Sequence, residues 1–465
     1  MTNDHLAGLH ALLGDKGLLT DPAEMAGYAI DWRKLFPGKP LAVARPSTTQ
    51  EVSAVMAYCH RHSVAVVPQG GNTGMAGGAV PDTSGRELVL SLARMNRLRG
   101  IDPVGMTLVA ESGVVLQTAQ EAAADVNRLL PISLAAEGSA TIGGVISTNA
   151  GGVNVLRYGM ARAMVLGLEV VLPDGRVVDG LRQLRKDNAG YDWKQIFIGT
   201  EGTLGIVTAA VLRLMPRPTH RLTALVSVPD PQAALDFLVL AQDALGDTIS
   251  GFELISGFSI GLVHTHFGLS CPVAAGQWYV LIEAGATLSG LREAVETSFE
   301  KAFGQGCVLD GTIAESDRQS ADLWMLRERI TESEAKESKS VKHDVSIPIP
   351  SIPQFLIEAG QALDKHAAGT RVNCFGHLGD GNLHYNVAAP AGVEPHAFDK
   401  NKDAVNLIVH DSVAEHGGSI SAEHGLGQLK REEIKRYKPA QELAMMRAIK
   451  AAIDPLGIMN PGKVL

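Results

Sequence analysis

Apolar positions along this chain follow two periods, and the pattern changes near residue 218. In the first part, short apolar runs alternate with helix-spaced segments. Residues 5–16 read as a short amphipathic helix and 41–45 as a strand. The run Pro46-Ser47-Thr48-Thr49-Gln50-Glu51 offers N-caps for a helix over 52–62. Strands follow at 64–67, 88–92 and 107–110, then a helix at 116–124. Residues 165–172 and 177–178 read as a hairpin across Pro173-Asp174-Gly175, and a further strand ends at Leu214. Met215-Pro216-Arg217-Pro218 is a rigid linker that closes a first domain, 1–218. Beyond it, strands at 222–228, 251–254, 279–284 and 345–349 alternate with helices at 231–245, 289–304, 316–333 and 353–366. That order predicts an α+β, ferredoxin-like domain on one antiparallel sheet, 219–424. A third segment, 425–465, holds an amphipathic helix over 439–453 and an extended tail, Met459-Asn460-Pro461-Gly462.

The chain has 465 residues, too many for one core, which agrees with a multi-domain reading. Its formal net charge of −9 argues against nucleic acid or an anionic membrane surface as partner. Cys59, Cys271, Cys307 and Cys374 are scattered without a Cys-x-x-Cys pair, which points to reduced thiols and a cytoplasmic protein. The start lacks the basic and apolar regions of a signal peptide, and no apolar run reaches membrane-spanning length.

Three glycine-rich stretches stand out. Pro68 to Gly78 carries five glycines in nine residues directly after a strand, helix and strand. Such a loop lets the backbone approach a ligand and aim N–H groups at phosphate oxygens. Gly138 to Gly152 is dominated by small residues with almost no charge, which suits close backbone contact with something large and planar or with another helix. Gly199 to Thr208 feeds a strand. None is a Gly-x-Gly-x-x-Gly after a strand, so a nicotinamide site is not indicated. The tail run Gly457 to Lys463 imitates a P-loop, but Val464 replaces the Ser/Thr and the chain ends where the helix belongs.

The strongest chemical signal is Cys374-Phe-Gly-His-Leu-Gly-Asp-Gly-Asn-Leu-His-Tyr-Asn-Val387. A two-residue turn at Asp380-Gly381 pairs His377 with His384 on one side of a ribbon, close enough to share a metal ion. Glu423, in Ser421-Ala422-Glu423-His424-Gly425-Leu426-Gly427, supplies a third ligand. Two histidines and a carboxylate leave a coordination position open, the catalytic pattern. His424 is then placed to act as a base. The alternative is a pair of core histidines and an ordinary glycine turn.

Taken together, the Gly71-Asn72-Thr73-Gly74 loop, Gly138–Gly152, Gly199–Thr208, the His377/His384 segment and Ala422–Gly427 resemble the FAD-linked dehydrogenases of the vanillyl-alcohol-oxidase superfamily, nearest the D-2-hydroxyglutarate and D-lactate branch. The resemblance spans nearly the whole chain. It implies a split FAD domain, built from the N-terminal part and the C-terminal segment, with a substrate domain between. It implies that Pro68, Gly70, Gly71, Asn72, Thr73, Gly74, Gly77 and Gly78 cradle the FAD pyrophosphate. With them, Gly138, Ser139, Thr141, Gly143, Gly144, Ser147, Asn149, Ala150, Gly151 and Tyr158 line the isoalloxazine. Glu201, Gly202, Ile206 and Val207 lie along the adenosine side, and Asn460 closes the site from the tail. Some relatives attach the flavin through a His where Asn72 stands, so FAD is expected to be non-covalent.

The reaction implied is oxidation of a D-2-hydroxy acid to the 2-oxo acid. Zn²⁺ on His377, His384 and Glu423 would take the 2-hydroxyl, with Mn²⁺, Fe²⁺ or Co²⁺ open on ligand type. His424 would accept the proton and flavin N5 the hydride. The resemblance also gives substrate binding to Arg327, Thr331, Lys342 and Asn386. Arg327 and Thr331 lie four apart and are expected on one helix face. Two cations beyond the metal favour a second carboxylate, so D-2-hydroxyglutarate or D-malate is expected over D-lactate. A D-lactate or glycolate dehydrogenase, an oxidase using O₂, and a catalytically silent FAD binder remain the alternatives. The family implies a homodimer and a quinone, an electron-transfer flavoprotein or a similar acceptor.

Overall fold

The computed structural model describes residues 2–393 and 398–465. The chain divides into two compact units. The first is made of the chain up to Gly152, Gly159–Arg217 and Glu423–Leu465; the second is made of Val153–Tyr158 and Pro218–Ala422. Among the described residues no helix is long and apolar enough to cross a membrane.

The first unit carries two main sheets, besides a two-residue pairing of Arg128–Leu129 with Met215–Pro216. Strands β1 (Leu18–Leu19), β2 (Ala42–Ala44), β3 (Val66–Gln69) and β4 (Leu88–Ser91) form one, in the order β1-β2-β4-β3. The β2–β4 and β3–β4 pairs are parallel. Parallel pairing needs a crossover between β2 and β3, and the helix Thr49–His62 provides it. That helix starts where Thr48 accepts a hydrogen bond from the Glu51 amide and stops at Ser63, which turns left-handed at φ 52°. Its apolar stripe, Val52, Val55, Met56 and Cys59, is fully buried against the strands. The second sheet is antiparallel: β5 (Leu98–Asp102), β6 (Thr107–Glu111), β7 (Val165–Val171), β8 (Val177–Gly180) and β9 (Ile206–Arg213), in the order β5-β6-β9-β7-β8.

The C-terminal tail closes the first sheet. β3 is an edge strand, and Met459 bridges Val66 in parallel. The Val66 amide donates to the Ile458 carbonyl at 2.8 Å, and the Asn460 amide donates to the Val66 carbonyl at 2.8 Å.

The second unit is built on one eight-stranded sheet. Its strands are β10 (His220–Val228), β11 (Ile249–Ser256), β12 (Trp278–Ala286), β13 (Asp310–Ile313), β14 (Ser340–Val341), β15 (Asp344–Ser346), β16 (Arg371–His377) and β17 (Asn382–Ala388). The order is β13-β10-β12-β11-β16-β17-β14, with β15 also on β17. One face packs on the helices Pro231–Leu245, Leu291–Gly304, Ile352–His366 and Lys402–Glu415. The other carries Leu225, Ile255, Leu281 and Phe375 against Leu323, Leu326 and Ile330.

Three local expectations change. The helix expected over 316–333 is two helices, Asp317–Glu328 and Ile330–Glu337, because ψ opens to −8° at Arg329. Arg327 is consequently buried while Thr331 is exposed, so the two do not share a face. The hairpin is not a two-residue turn: His377 pairs with Asn382, and Phe375 pairs with His384. Leu378 leaves the ribbon to fill the apolar core, fully buried, and the Gly379 amide donates to the Phe252 carbonyl at 3.2 Å. The register moves by two residues, which preserves the face.

Candidate active site

The first unit holds an open cleft with about 1370 Å³ of empty space including its mouth. Its walls are the loop after β3, the start of the helix Ile142–Ser147, the turn entering β9, and Glu423-His424. Gly71 shows why the loop needs glycine: a Cβ there would lie 2.0 Å from the Ser139 carbonyl oxygen. At Gly74 nothing stands within 4 Å of a Cβ. The Thr141 hydroxyl is buried in the wall without a hydrogen-bond partner. A glycine-built wall with small side chains and an unsatisfied hydroxyl fits a large, flat ligand with phosphate oxygens.

Glu201 holds the Glu423-His424 wall in place. Its carboxylate accepts hydrogen bonds from the Leu426 amide at 2.7 Å and the Gly427 amide at 2.9 Å. Asn460 Nδ2 donates to the carbonyls of Glu201 at 2.7 Å and Gly78 at 2.9 Å. Burial raises the Glu201 pKa above the ordinary range, while the two amides pull it down.

Of the residues expected around a flavin, Pro68, Gly70–Gly74, Gly78, Thr141, Gly143, Gly144, Ser147, Ala150, Gly151, Glu201, Gly202, Ile206 and Val207 line this cleft. Others support it from behind. Gly77 faces the Phe36 ring, and Ser139 lends the carbonyl that Gly71 meets. Asn149 turns left-handed and accepts the Arg162 amide, and Asn460 acts as described. Gly138 is outside the lining, and Tyr158 belongs to the second unit. Ala135 and Ala136 line the cleft without having been singled out. The uncharged run Pro131 to Ala136 was their only signal.

The second unit places a polar patch at one end of its sheet face. His377 and His384 face each other with ring centroids 6.0 Å apart. Glu253, the direct register partner of His377, was not anticipated; a carboxylate inside the apolar strand β11 was the available clue. Its Oε1 lies 2.5 Å from His377 Nδ1, and its Oε2 accepts from Arg327 Nε at 2.8 Å. Burial of Glu253 works to raise its pKa, but the His377 ring and the Arg327 guanidinium outweigh this and bring it to about 2. The carboxylate favours the His377 tautomer with its proton on Nδ1, and a carboxylate in this position is common behind metal-binding imidazoles. The loop itself requires Gly381: φ is +86° there, and a Cβ would lie 2.4 Å from the Ile347 carbonyl oxygen.

Lys342 Nζ lies 3.3 Å from Glu334 Oε2, which also accepts from Asn386 Nδ2 at 2.9 Å. Both cations assigned to substrate are therefore already paired inside the unit, Arg327 with Glu253 and Lys342 with Glu334. This corrects the charge argument for a diacid. A monocarboxylic substrate would not leave either cation without a partner.

A glycine-walled cleft beside parallel strands, together with a second unit carrying histidines and carboxylates, defines a flavin-linked oxidoreductase. Residues 40–180 match the FAD binding domain family, and residues 217–464 match the family of FAD linked oxidases, C-terminal domain. The chain is 40% identical to the mitochondrial D-2-hydroxyglutarate dehydrogenase of Bos taurus, over 100% of this chain and 84% of that protein. It is 38% identical to the D-2-hydroxyglutarate dehydrogenase of Xanthomonas citri pv. viticola, over 100% of this chain and 97% of that one. The chain belongs to the D-2-hydroxyglutarate dehydrogenase family of FAD-linked oxidoreductases. In fold it is similar to substrate-bound p-cresol methylhydroxylase, with a TM-score of 0.77 at 18% identity, covering 99% of this chain and 96% of that one. Alkyldihydroxyacetonephosphate synthase aligns with a TM-score of 0.74 at 17% identity over 99% of this chain and 84% of the other.

Proposed function

We propose that this chain oxidises D-2-hydroxyglutarate to 2-oxoglutarate with non-covalent FAD and a divalent metal, Zn²⁺ being favoured by the ligand types. The observation that carries this reading is His424 in the wall of the glycine-built cleft, where an imidazole is positioned to take a proton. When bound, FAD takes up the two electrons and the metal acidifies the substrate hydroxyl. His377 and His384 supply two imidazole ligands and Glu423 the carboxylate. His424 accepts the hydroxyl proton. Lys342 and Asn386 address the far end of the substrate. Asn72 commits its Nδ2 to the Ile30 carbonyl at 2.9 Å, in keeping with non-covalent flavin. A homodimer passing electrons to a quinone or an electron-transfer flavoprotein, in the cytoplasm, completes the proposal. Mitochondrial relatives leave a second compartment open.

Anaerobic mixing of the holoprotein with D-2-hydroxyglutarate, D-malate, D-lactate and glycolate tests it. Bleaching of the flavin band is expected, fastest with D-2-hydroxyglutarate and absent with its L-enantiomer. A flavin that no D-2-hydroxy acid bleaches would favour a silent FAD binder; a preference for D-lactate would reassign the substrate.

Glu253→Gln tests the metal separately. The amide cannot hold the His377 ring as a carboxylate does, so metal affinity should fall about 10–100-fold, the range for such supporting groups. Chelator competition reads this directly. Unchanged affinity, in a variant that melts like the parent, would limit Glu253 to pairing with Arg327.

A further inference from the structure

Glu334 lies on the polar patch and has no part in the mechanism above. It lies on the helix Ile330–Glu337 and is 2% exposed. The break at Arg329 is what brings it inward, beside Ser333. Its Oε2 accepts from Asn386 Nδ2 at 2.9 Å and pairs with Lys342 Nζ at 3.3 Å. Its Oε1 is buried with no hydrogen-bond partner. On the same sheet face Asn373, the register partner of Asn386, donates to nothing through its buried Nδ2, while its Oδ1 accepts from the Ser259 hydroxyl at 2.6 Å. Two buried polar atoms left unsatisfied in one small patch carry a cost that a packed core avoids.

We infer that Glu334 is a specificity-determining residue that competes with the second carboxylate of a dicarboxylic substrate for Lys342 and Asn386. The inference rests on the reading of those two residues as the substrate's distal site. The donors that would hold a second carboxylate already hold one belonging to the chain. An incoming carboxylate must either share Lys342 with Glu334 or displace it. Sharing brings two negative charges onto one partly exposed cation beside the buried Glu334, and like charges that close repel. A substrate without a second carboxylate meets no such opposition. Glu334 therefore narrows the advantage of a diacid over a monoacid, and it does so without touching the metal or the flavin.

Equilibrium binding of inert acids to the holoprotein separates this from the catalytic reading, since it needs no turnover. Glutarate supplies the dianion and butyrate the monoanion. In Glu334→Gln, which keeps size and one acceptor oxygen, glutarate should bind about tenfold tighter by calorimetry, since one relieved like-charge contact is worth at least that. Butyrate affinity should move less than about twofold. In a chain that also carries Lys342→Gln the gain should vanish, because the contested cation is gone. Glu334→Ala should repeat the direction if Glu334→Gln fails to fold. Glutarate binding that weakens or stays unchanged, an equal gain for both acids, a gain that survives Lys342→Gln, or no glutarate binding to any of these proteins would overturn the inference. Turnover of D-2-hydroxyglutarate by the parent is scored separately: its absence sinks the proposed reaction and leaves the glutarate comparison standing.

Discussion

His377→Ala is expected to stay yellow and to lose its metal and its turnover. The cleft assigned to FAD is lined entirely by residues of the first unit, so flavin retention does not depend on this imidazole. Turnover does, because a ligand is removed and not merely an orienting group. The fall should go well beyond the roughly 100-fold that marks the loss of a supporting contact. The substitution also strips Glu253 of one partner, leaving Arg327 as its remaining cation. A melt must therefore accompany the assay. His384→Ala serves as a companion that leaves the Glu253–His377 contact in place. Metal analysis, flavin absorbance and steady-state rates read all three properties. Full activity in a chelator-stripped preparation would remove the metal from the mechanism.

His424→Ala is the second large effect. Loss of a general base lowers kcat by about 10²–10⁴-fold. The neighbouring backbone should not move, because Glu201 grips the amides of Leu426 and Gly427 independently of the His424 side chain. Flavin and metal content should therefore match the parent. Chelator-resistant metal with a collapsed kcat supports a base; metal lost in this variant would make His424 a ligand instead.

Regular elements with strong periodicity were legible in the sequence. The helix Pro231–Leu245 was, because Asp230 caps it and its apolar stripe is continuous. The glycine loop was as well, since few other reasons exist for five glycines after a strand. The helix Gly257–Phe267 was not expected: glycine at 257 and 261 and an apolar surface nearly all round leave no stripe to read. Strand β5 escaped because it is almost wholly exposed and shows no alternation. The hairpin register was misread because Asp-Gly suggested the shortest turn, while Leu378 gains more from the core than from the ribbon. The site was half legible. Histidines and glycines announce themselves by type and spacing. Glu253 and Glu334 act through contacts across 124 and 52 residues of chain, and no local pattern encodes a partner that distant.

The bridge between Val66 and Met459 has a bearing on how the chain is made. A ribosome releases β3 early and its tail partner about 390 residues later. At 5–20 residues per second that is a wait of about 20–80 s. Throughout it, one edge of the first sheet shows unpaired amides and carbonyls, the surface on which nascent chains pair wrongly with one another. The Glu423-His424 wall of the cleft is missing for nearly as long. FAD therefore cannot meet a finished cleft until the inserted second unit has been made, and the length of that unit sets how long chaperones must shield the first.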